Sequence, residues 1–342
     1  MRFILAGLLA LFALGATPAL AGSGVVTVYS ADGLHDGSPN WYQTEFDAFT
    51  RATGIKVQYV EGGSGVVVNR VAMQRHNQQA DVLVTLPPFI QQAAAEGLLA
   101  PYIPPRAAPH ILPAMHDKRD LYWPMLNDYL NFIYDSAALP APPASFAQLL
   151  APKFSGKIQY STPGEAGDGT AVMLEVLHAF GSRKAGFAYL AQLQKNNVGP
   201  SASTGRLTAL VNKGEIYVAN GDVQMNLAQQ ADNRNIRIFY PAGPDGVRST
   251  FAIPYDIALV AGAPHPAAAR KLIDFLLSRQ AQLQISRIAY GYPARTDVHP
   301  TDANFAAFQA ALKGVTIWYP DWTVVLHALK ADLAAWHQAT GS

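Results

Sequence analysis

Three short stretches place glycine, serine and threonine where helices are expected to begin: Gly63-Ser64-Gly65, Ser161-Thr162 and Ser203-Thr204. The first amides of a helix have no partner inside it, and the helix dipole puts about half a positive charge there. Such an end can hold a phosphate-like anion without a lysine or arginine. Each hydroxyl alone could equally be an N-cap, worth about 1 kcal/mol to its helix. Carboxylates stand close by in the sequence: Asp32, Glu61, Asp222 and, in a later extended stretch, Asp256. Helix ends beside carboxylates suit a zwitterion with an acid at one end and an ammonium at the other. Tyr29, Trp41 and Tyr255 could add cation–π contact with the amine, although tyrosine and tryptophan also serve as ordinary core residues.

These residues need a scaffold that brings them together. Val25–Tyr29 reads as a strand, Tyr42–Thr53 as a helix stopped by Gly54, and Ile55–Val60 as an alternating strand. A helix from about Val66 to Asn77 and the strand Asp81–Thr85 follow, then a helix rich in glutamine and alanine. Short strand–helix units mean a parallel α/β sheet. A looser second block contains a strand at Lys157–Ser161, helices at Gly169–Phe180 and Ala185–Gln194, the helix of "STGRLTALVNKGE" and the strand "IYVAN". Ligands of open sheets bind beyond the carboxyl ends of the strands. That rule gathers Ser64, Gly65, Ser161, Thr162, Thr170, Ser203 and Thr204 as anion ligands. Asp32 and Asp222, then Glu61 and Tyr255, are the candidates for the amine. Two extended stretches, Pro124–Asp135 and Phe251–Gly262, join the blocks as paired crossings, and the tail from Pro266 reads as helices.

Composition narrows the function. Arg2, an apolar run from Phe3 to Ala16 and the triplet Ala19-Leu20-Ala21 form a secretory signal with cleavage expected after Ala21. The run is shorter than the roughly 20 residues that span a bilayer, so the mature chain is expected to be exported and soluble. Cysteine is absent and half the residues are hydrophobic, so the fold must stand on its cores. A net charge of +1 offers no surface for nucleic acid. Catalytic motifs are missing: Val66 occupies the last glycine position of G-x-S-x-G, the nine histidines form no zinc pair, and no P-loop lysine is present.

Longer stretches are similar to a known family. "VVTVYSADGLHDG", "YVEGGSGVVV", "QADVLVTLPPFIQQAAAEGLL", "QYSTPGEAGDGTAVML" and "GFAYLAQLQKNNVGPSASTGRLTALVNKGEIYVANGD" resemble the periplasmic binding components of ABC transporters for 2-aminoethylphosphonate. Weaker similarity runs through "FAIPY" and "KLIDFLLS" to the tail around Trp336. The resemblance implies a type II periplasmic-binding-protein fold, with two α/β lobes of mixed or parallel sheet joined by two hinge crossings. Residues 22–127 and 256–296 would form one lobe, and 128–255 with the helices of 297–342 the other. It further implies a periplasmic monomer that closes on 2-aminoethylphosphonate and delivers it to a permease, with no cofactor, no metal and no enzymatic activity. The wider group resembles ferric-binding proteins, but Asn220–Met225 has no tyrosine pair and Thr85-Leu86 has no carboxylate. A receptor for another small anion, such as phosphate or another phosphonate, and an exported phosphoester or phosphonate hydrolase are the alternatives.

Overall fold

A computed structural model describes residues 24–31, 33–35, 40–230 and 232–342. The expected signal segment and Asp32 lie outside the described residues. Strands β1 (Val25–Ala31), β2 (Lys56–Gly62), β3 (Val82–Thr85), β4 (Leu99–Ala100) and β5 (Trp123–Asn127) start a first sheet. Strands β6 (Leu130–Asp135), β7 (Ile158–Gln159), β8 (Val218–Asp222) and β9 (Ile236–Phe239) make a second. After β10 (Ser249–Phe251) the chain returns to the first sheet as β11 (Tyr255–Val260) and β12 (Tyr292–Pro293), and β13 (Thr316–Trp318) pairs with β10.

The first sheet has the order β12-β5-β11-β3-β1-β2, with β4 beside β11. β1 runs parallel to β2 and β3, whereas β11 is antiparallel to both β3 and β5. The sheet is therefore mixed, where strand–helix alternation alone suggests a parallel one. Every residue of β3 and β11 is buried, as expected of central strands covered on both faces. The second sheet runs β7-β8-β6-β9.

Helices α1 (Trp41–Thr53), α2 (Ser64–Met73) and α3 (Phe89–Ala95) follow β1, β2 and β3. The second block supplies α4 (Gly167–Ala179), α5 (Arg183–Leu193), α6 (Gly205–Asn212) and α7 (Val223–Gln229). The C-terminal part adds α8 (Pro266–Leu276), α9 (Arg279–Gln284), α10 (Ala303–Ala311) and α11 (Trp322–Thr340). α1 illustrates how local sequence sets the limits of an element. Asn40 accepts a 2.8 Å bond from the Gln43 amide at its start, and Gly54 takes the left-handed φ of 71° that ends it. Its Trp41, Tyr42, Phe46 and Phe49 face the core.

The two long extended stretches each divide between the sheets. Pro124–Asp135 leaves the first sheet as β5, turns at Asp128-Tyr129 and enters the second as β6. The return passes through Ala252–Pro254 into β11. The two crossings lie side by side: Tyr129 bridges Ala252, and the Ile253 amide donates to the Asp128 carbonyl at 2.9 Å.

The tail contains a strand as well as helices, and buried polar contacts bind it to the second block. Glu175 on α4 accepts bonds from Ser249 Oγ at 2.5 Å and from Trp318 Nε1 at 2.7 Å, while burial pushes its carboxyl up. Asp332 pairs with Arg183, and Trp336, 2% exposed, donates to the Tyr160 hydroxyl at 3.3 Å. α11 also touches α3 of the first block. Trp336→Ala is expected to cost about 3–5 kcal/mol in urea unfolding. A loss below about 1 kcal/mol would mean that the tail adds little to the fold.

Candidate functional site

The start of α2 packs directly on the second block. The Gly65 amide donates to the Glu165 carbonyl at 3.0 Å. A side chain at Gly63 would come within 2.6 Å of the carbonyl oxygens of Ala202 and Glu165, and one at Gly65 would strike the carbonyl of Gly164. From the other side, a Cβ at Gly167 would lie 2.6 Å from Ser64 Oγ. The glycines of "EGGSGV" are therefore needed for close approach between the lobes. Ser64 itself is buried, and its carbonyl accepts from Thr85 Oγ1 at 3.2 Å.

Three helix starts meet in this region: α2 after Gly63, α4 after Ala166 and α6 after Thr204. None of them is capped by a side chain. The same is true of α3 and α8, whereas α1, α5, α7, α9, α10 and α11 carry an Asn, Ser or Asp cap. Thr204 is the N-cap residue of α6, but its hydroxyl does not make the capping bond. The serines and threonines singled out by the sequence bond among themselves instead. Ser161 Oγ lies 2.7 Å from Thr204 Oγ1 and 3.2 Å from Asn220 Oδ1, and the Ser161 amide donates to Asn220 Oδ1 at 2.8 Å. Thr162 Oγ1 accepts the Ser201 amide at 3.0 Å, and Ser201 Oγ donates to the Ser203 carbonyl at 2.7 Å. Thr170 Oγ1 accepts the Gly164 amide at 2.9 Å and donates to the Ala166 carbonyl at 3.2 Å.

The acids gather where the crossings meet β8. Asp222, fully buried, accepts the Met225 amide at 2.6 Å as the cap of α7 and the Tyr255 hydroxyl at 3.2 Å. The carboxyl of Asp128 lies beside it, with Oδ2 buried and without a hydrogen-bond partner. Asp128 is held in turn by the amides of Tyr129 at 2.7 Å and Gln224 at 3.1 Å. Burial pushes Asp128 up to about 7, against the help of its hydrogen bonds. Burial, followed by the Asp128 charge, lifts Asp222 well above the carboxylate range. Two carboxyls so placed hold a shared proton unless a cation is present. The nearly buried Asp168, in the first turn of α4, adds its charge to Asp128.

Buried amides complete the surroundings. Both polar atoms of the Asn131 side chain, Asn220 Nδ2 and Gln224 Oε1 have no protein partner. Gln224 Nε2 reaches across to the Gly33 carbonyl at 3.5 Å, where Gly33, at φ 111°, lies against the Tyr255 hydroxyl. The structure thus draws together Ser64, Gly65, Ser161, Thr162, Thr170, Ser203, Thr204, Asp222 and Tyr255. Glu61 stays outside this group, exposed and bonded to the Tyr59 hydroxyl at 2.9 Å. Sequence reading missed Asp128, Asn131, Asp168 and Gln224. The available signal was polar residues inside apolar runs, as in "PMLNDYLNFIYD", where Asp128 and Asn131 interrupt hydrophobic strands. Among the described residues no group of three or more His, Asp or Glu is arranged to hold a metal ion.

A family model for bacterial extracellular solute-binding proteins matches residues 35–283. The chain is 58% identical over 342 residues, all of both chains, to a Salmonella typhimurium protein named "Putative 2-aminoethylphosphonate-binding periplasmic protein". It is 25% identical over 324 residues, 93% of each chain, to a thiamine-binding periplasmic protein of Brucella melitensis. Among solved structures, the periplasmic binding protein AfuA of Actinobacillus pleuropneumoniae, with exogenous fructose-6-phosphate bound, superposes with a TM-score of 0.80 at 18% identity. That match covers 94% of this chain and 99% of the other, and it establishes the type II periplasmic-binding-protein fold.

The buried carboxyl pair makes the stability of the ligand-free protein depend on pH. Between the ordinary aspartate value of 3.8 and the raised folded values, the unfolded chain has shed protons that the folded protein keeps. Stability is therefore full at low pH and falls as pH rises through about 4 to about 7 and beyond, by up to about 1.4 kcal/mol per pH unit for each retained proton. Asp222→Asn keeps the cap on α7 and should flatten this fall, measured by urea unfolding from pH 5 to pH 8. An unchanged slope in the variant would remove the shared proton from the account.

Proposed function

The chain belongs to the bacterial extracellular solute-binding proteins, and from that premise we propose that it is a periplasmic receptor for 2-aminoethylphosphonate. It captures the ligand between its two lobes and delivers it to the permease of an ABC importer. We divide the lobes at the crossings, with residues 22–127 and 256–296 in one and 128–255 with the tail in the other. The observation that carries the reading is the convergence of three helix starts beside a buried carboxyl pair. The starts of α2, α4 and α6, with the hydroxyls of Ser64, Ser161, Thr162, Thr170, Ser203 and Thr204, receive the phosphonate. Asp222, oriented by Tyr255 and backed by Asp128 and Asp168, receives the ammonium, whose charge removes the cost of ionising the pair. Asp32 remains a further amine candidate, and Glu61 fits a position on the rim. The relatives named for 2-aminoethylphosphonate support this choice of solute.

Micromolar binding needs about 8 kcal/mol, which a few charge-assisted hydrogen bonds of about 1.5–3 kcal/mol each supply. Both lobes contribute ligands, so the solute favours the closed arrangement through its differential contacts. Contacts such as Gly65 with Glu165 and Gln224 with Gly33 form part of that arrangement.

Calorimetry with 2-aminoethylphosphonate, ethylphosphonate and ethanolamine tests the proposal. The full ligand should bind at least about a hundredfold tighter than either fragment, the cost of leaving a buried charged group unpaired. Asp222→Asn should reduce that preference over ethylphosphonate and leave ethylphosphonate binding unchanged. Equal affinity for ethylphosphonate in the native protein would eliminate the amine pocket.

A further inference from the structure

A second cavity, of about 590 Å³, lies against the two crossings on the side of β5, β11 and β12. It is lined by none of the residues assigned to the phosphonate or to its amine. Asp256, 1% exposed at the start of β11, contributes a carboxylate whose two oxygens have no hydrogen-bond partner. Gln91 on α3 adds a buried Oε1, also without a partner. Burial alone drives the Asp256 carboxyl well above its ordinary range, since no cation or donor holds its charge.

Besides His116, Tyr122, Asn127 and small or apolar residues, four further rings line the wall. Tyr129 comes from the first crossing and Tyr292 from β12, while Tyr319 and Trp322 come from the tail. Tyr319 is 83% exposed and Tyr292 41% exposed, so the rings continue to the mouth of the cavity. An aromatic lining with a buried carboxylate selects an organic cation, which gains from ring faces and from the charge together. The unpartnered acceptors narrow the class further. Asp256 Oδ1 and Oδ2 and Gln91 Oε1 are three acceptors, and a primary ammonium carries three donors and no acceptor.

We infer that this cavity is a second ligand site, one that takes a primary amine carried on an apolar or aromatic body. Asp256 and Gln91 receive the ammonium, and Tyr129, Tyr292, Tyr319 and Trp322 enclose the body. Both crossings and the tail contribute to the wall, so an occupant touches both lobes. The site does not depend on the identity of the solute bound at Asp222.

The probe is 2-phenylethylamine, with 2-phenylethanol as its neutral counterpart. Both are titrated by calorimetry and tryptophan fluorescence into the full protein, alone and saturated with 2-aminoethylphosphonate. The amine should bind at least about tenfold tighter than the alcohol, a difference of about 1.4 kcal/mol, in both states of the protein. Asp256→Asn should abolish that preference, and Gln91→Leu, which leaves Asp256 in place, should reduce it. Both variants should keep their affinity for 2-aminoethylphosphonate, which also shows that they are folded. Equal affinity for amine and alcohol, absence of amine binding, or displacement of the amine by 2-aminoethylphosphonate would each overturn the assignment. The last result would place the amine at Asp222 instead.

Discussion

Asp128 and Asp222 bury two neighbouring carboxyl groups at the point where the chain crosses between the lobes. Burying one unpaired charge costs several kcal/mol, and burying two like charges costs more. The pair can keep a proton, or it can take up a cation and ionise. The surroundings support both states. Tyr255 and the Met225 amide hold Asp222, and the Tyr129 and Gln224 amides hold Asp128. The Asp128 carbonyl also accepts the Ile253 amide of the returning strand, which ties the carboxyl pair to the hinge itself.

In the proposed site the opposite pole is made by backbone. A lysine or arginine in the gap would pair with the buried acids and block the ammonium. Helix starts, as proposed for this site, attract an anion with partial charges that remain fixed in place and cannot swing to the carboxyls. This division explains a low-charge sequence with glycine at the lobe contacts. Small residues at 63, 65 and 167 let the start of α2 reach the second block.

Much of this was legible in the sequence, for identifiable reasons. Gly54 ended α1 as its position indicated, and the strand–turn–helix order located the gap, since polar turns after buried strands can be read locally. Ser161 and Thr204 were both picked out from the sequence, but their mutual bond was hidden because they lie 43 residues apart. Asp128 escaped because its partner, Asp222, comes from another strand, and an aspartate in an apolar run carries no mark of its pairing. The mixing of the first sheet was hidden from strand–helix alternation, although the family resemblance allowed for it. β11 returns from a distant part of the chain, and a fully buried strand reads alike in either direction. In the tail, β13 is three residues long and takes its register from β10, so local pattern had little to report.

The account turns on an ammonium group meeting the Asp128–Asp222 pair, and proton release on binding tests it most directly. Calorimetry of 2-aminoethylphosphonate binding at neutral pH, repeated in buffers of different ionisation enthalpy, counts the protons released. Comparing the native protein with Asp222→Asn cancels any contribution from the phosphonate itself. The account predicts that the native protein releases more protons than the variant, because the arriving ammonium drives the shared proton off the pair. Equal release from both proteins would contradict it.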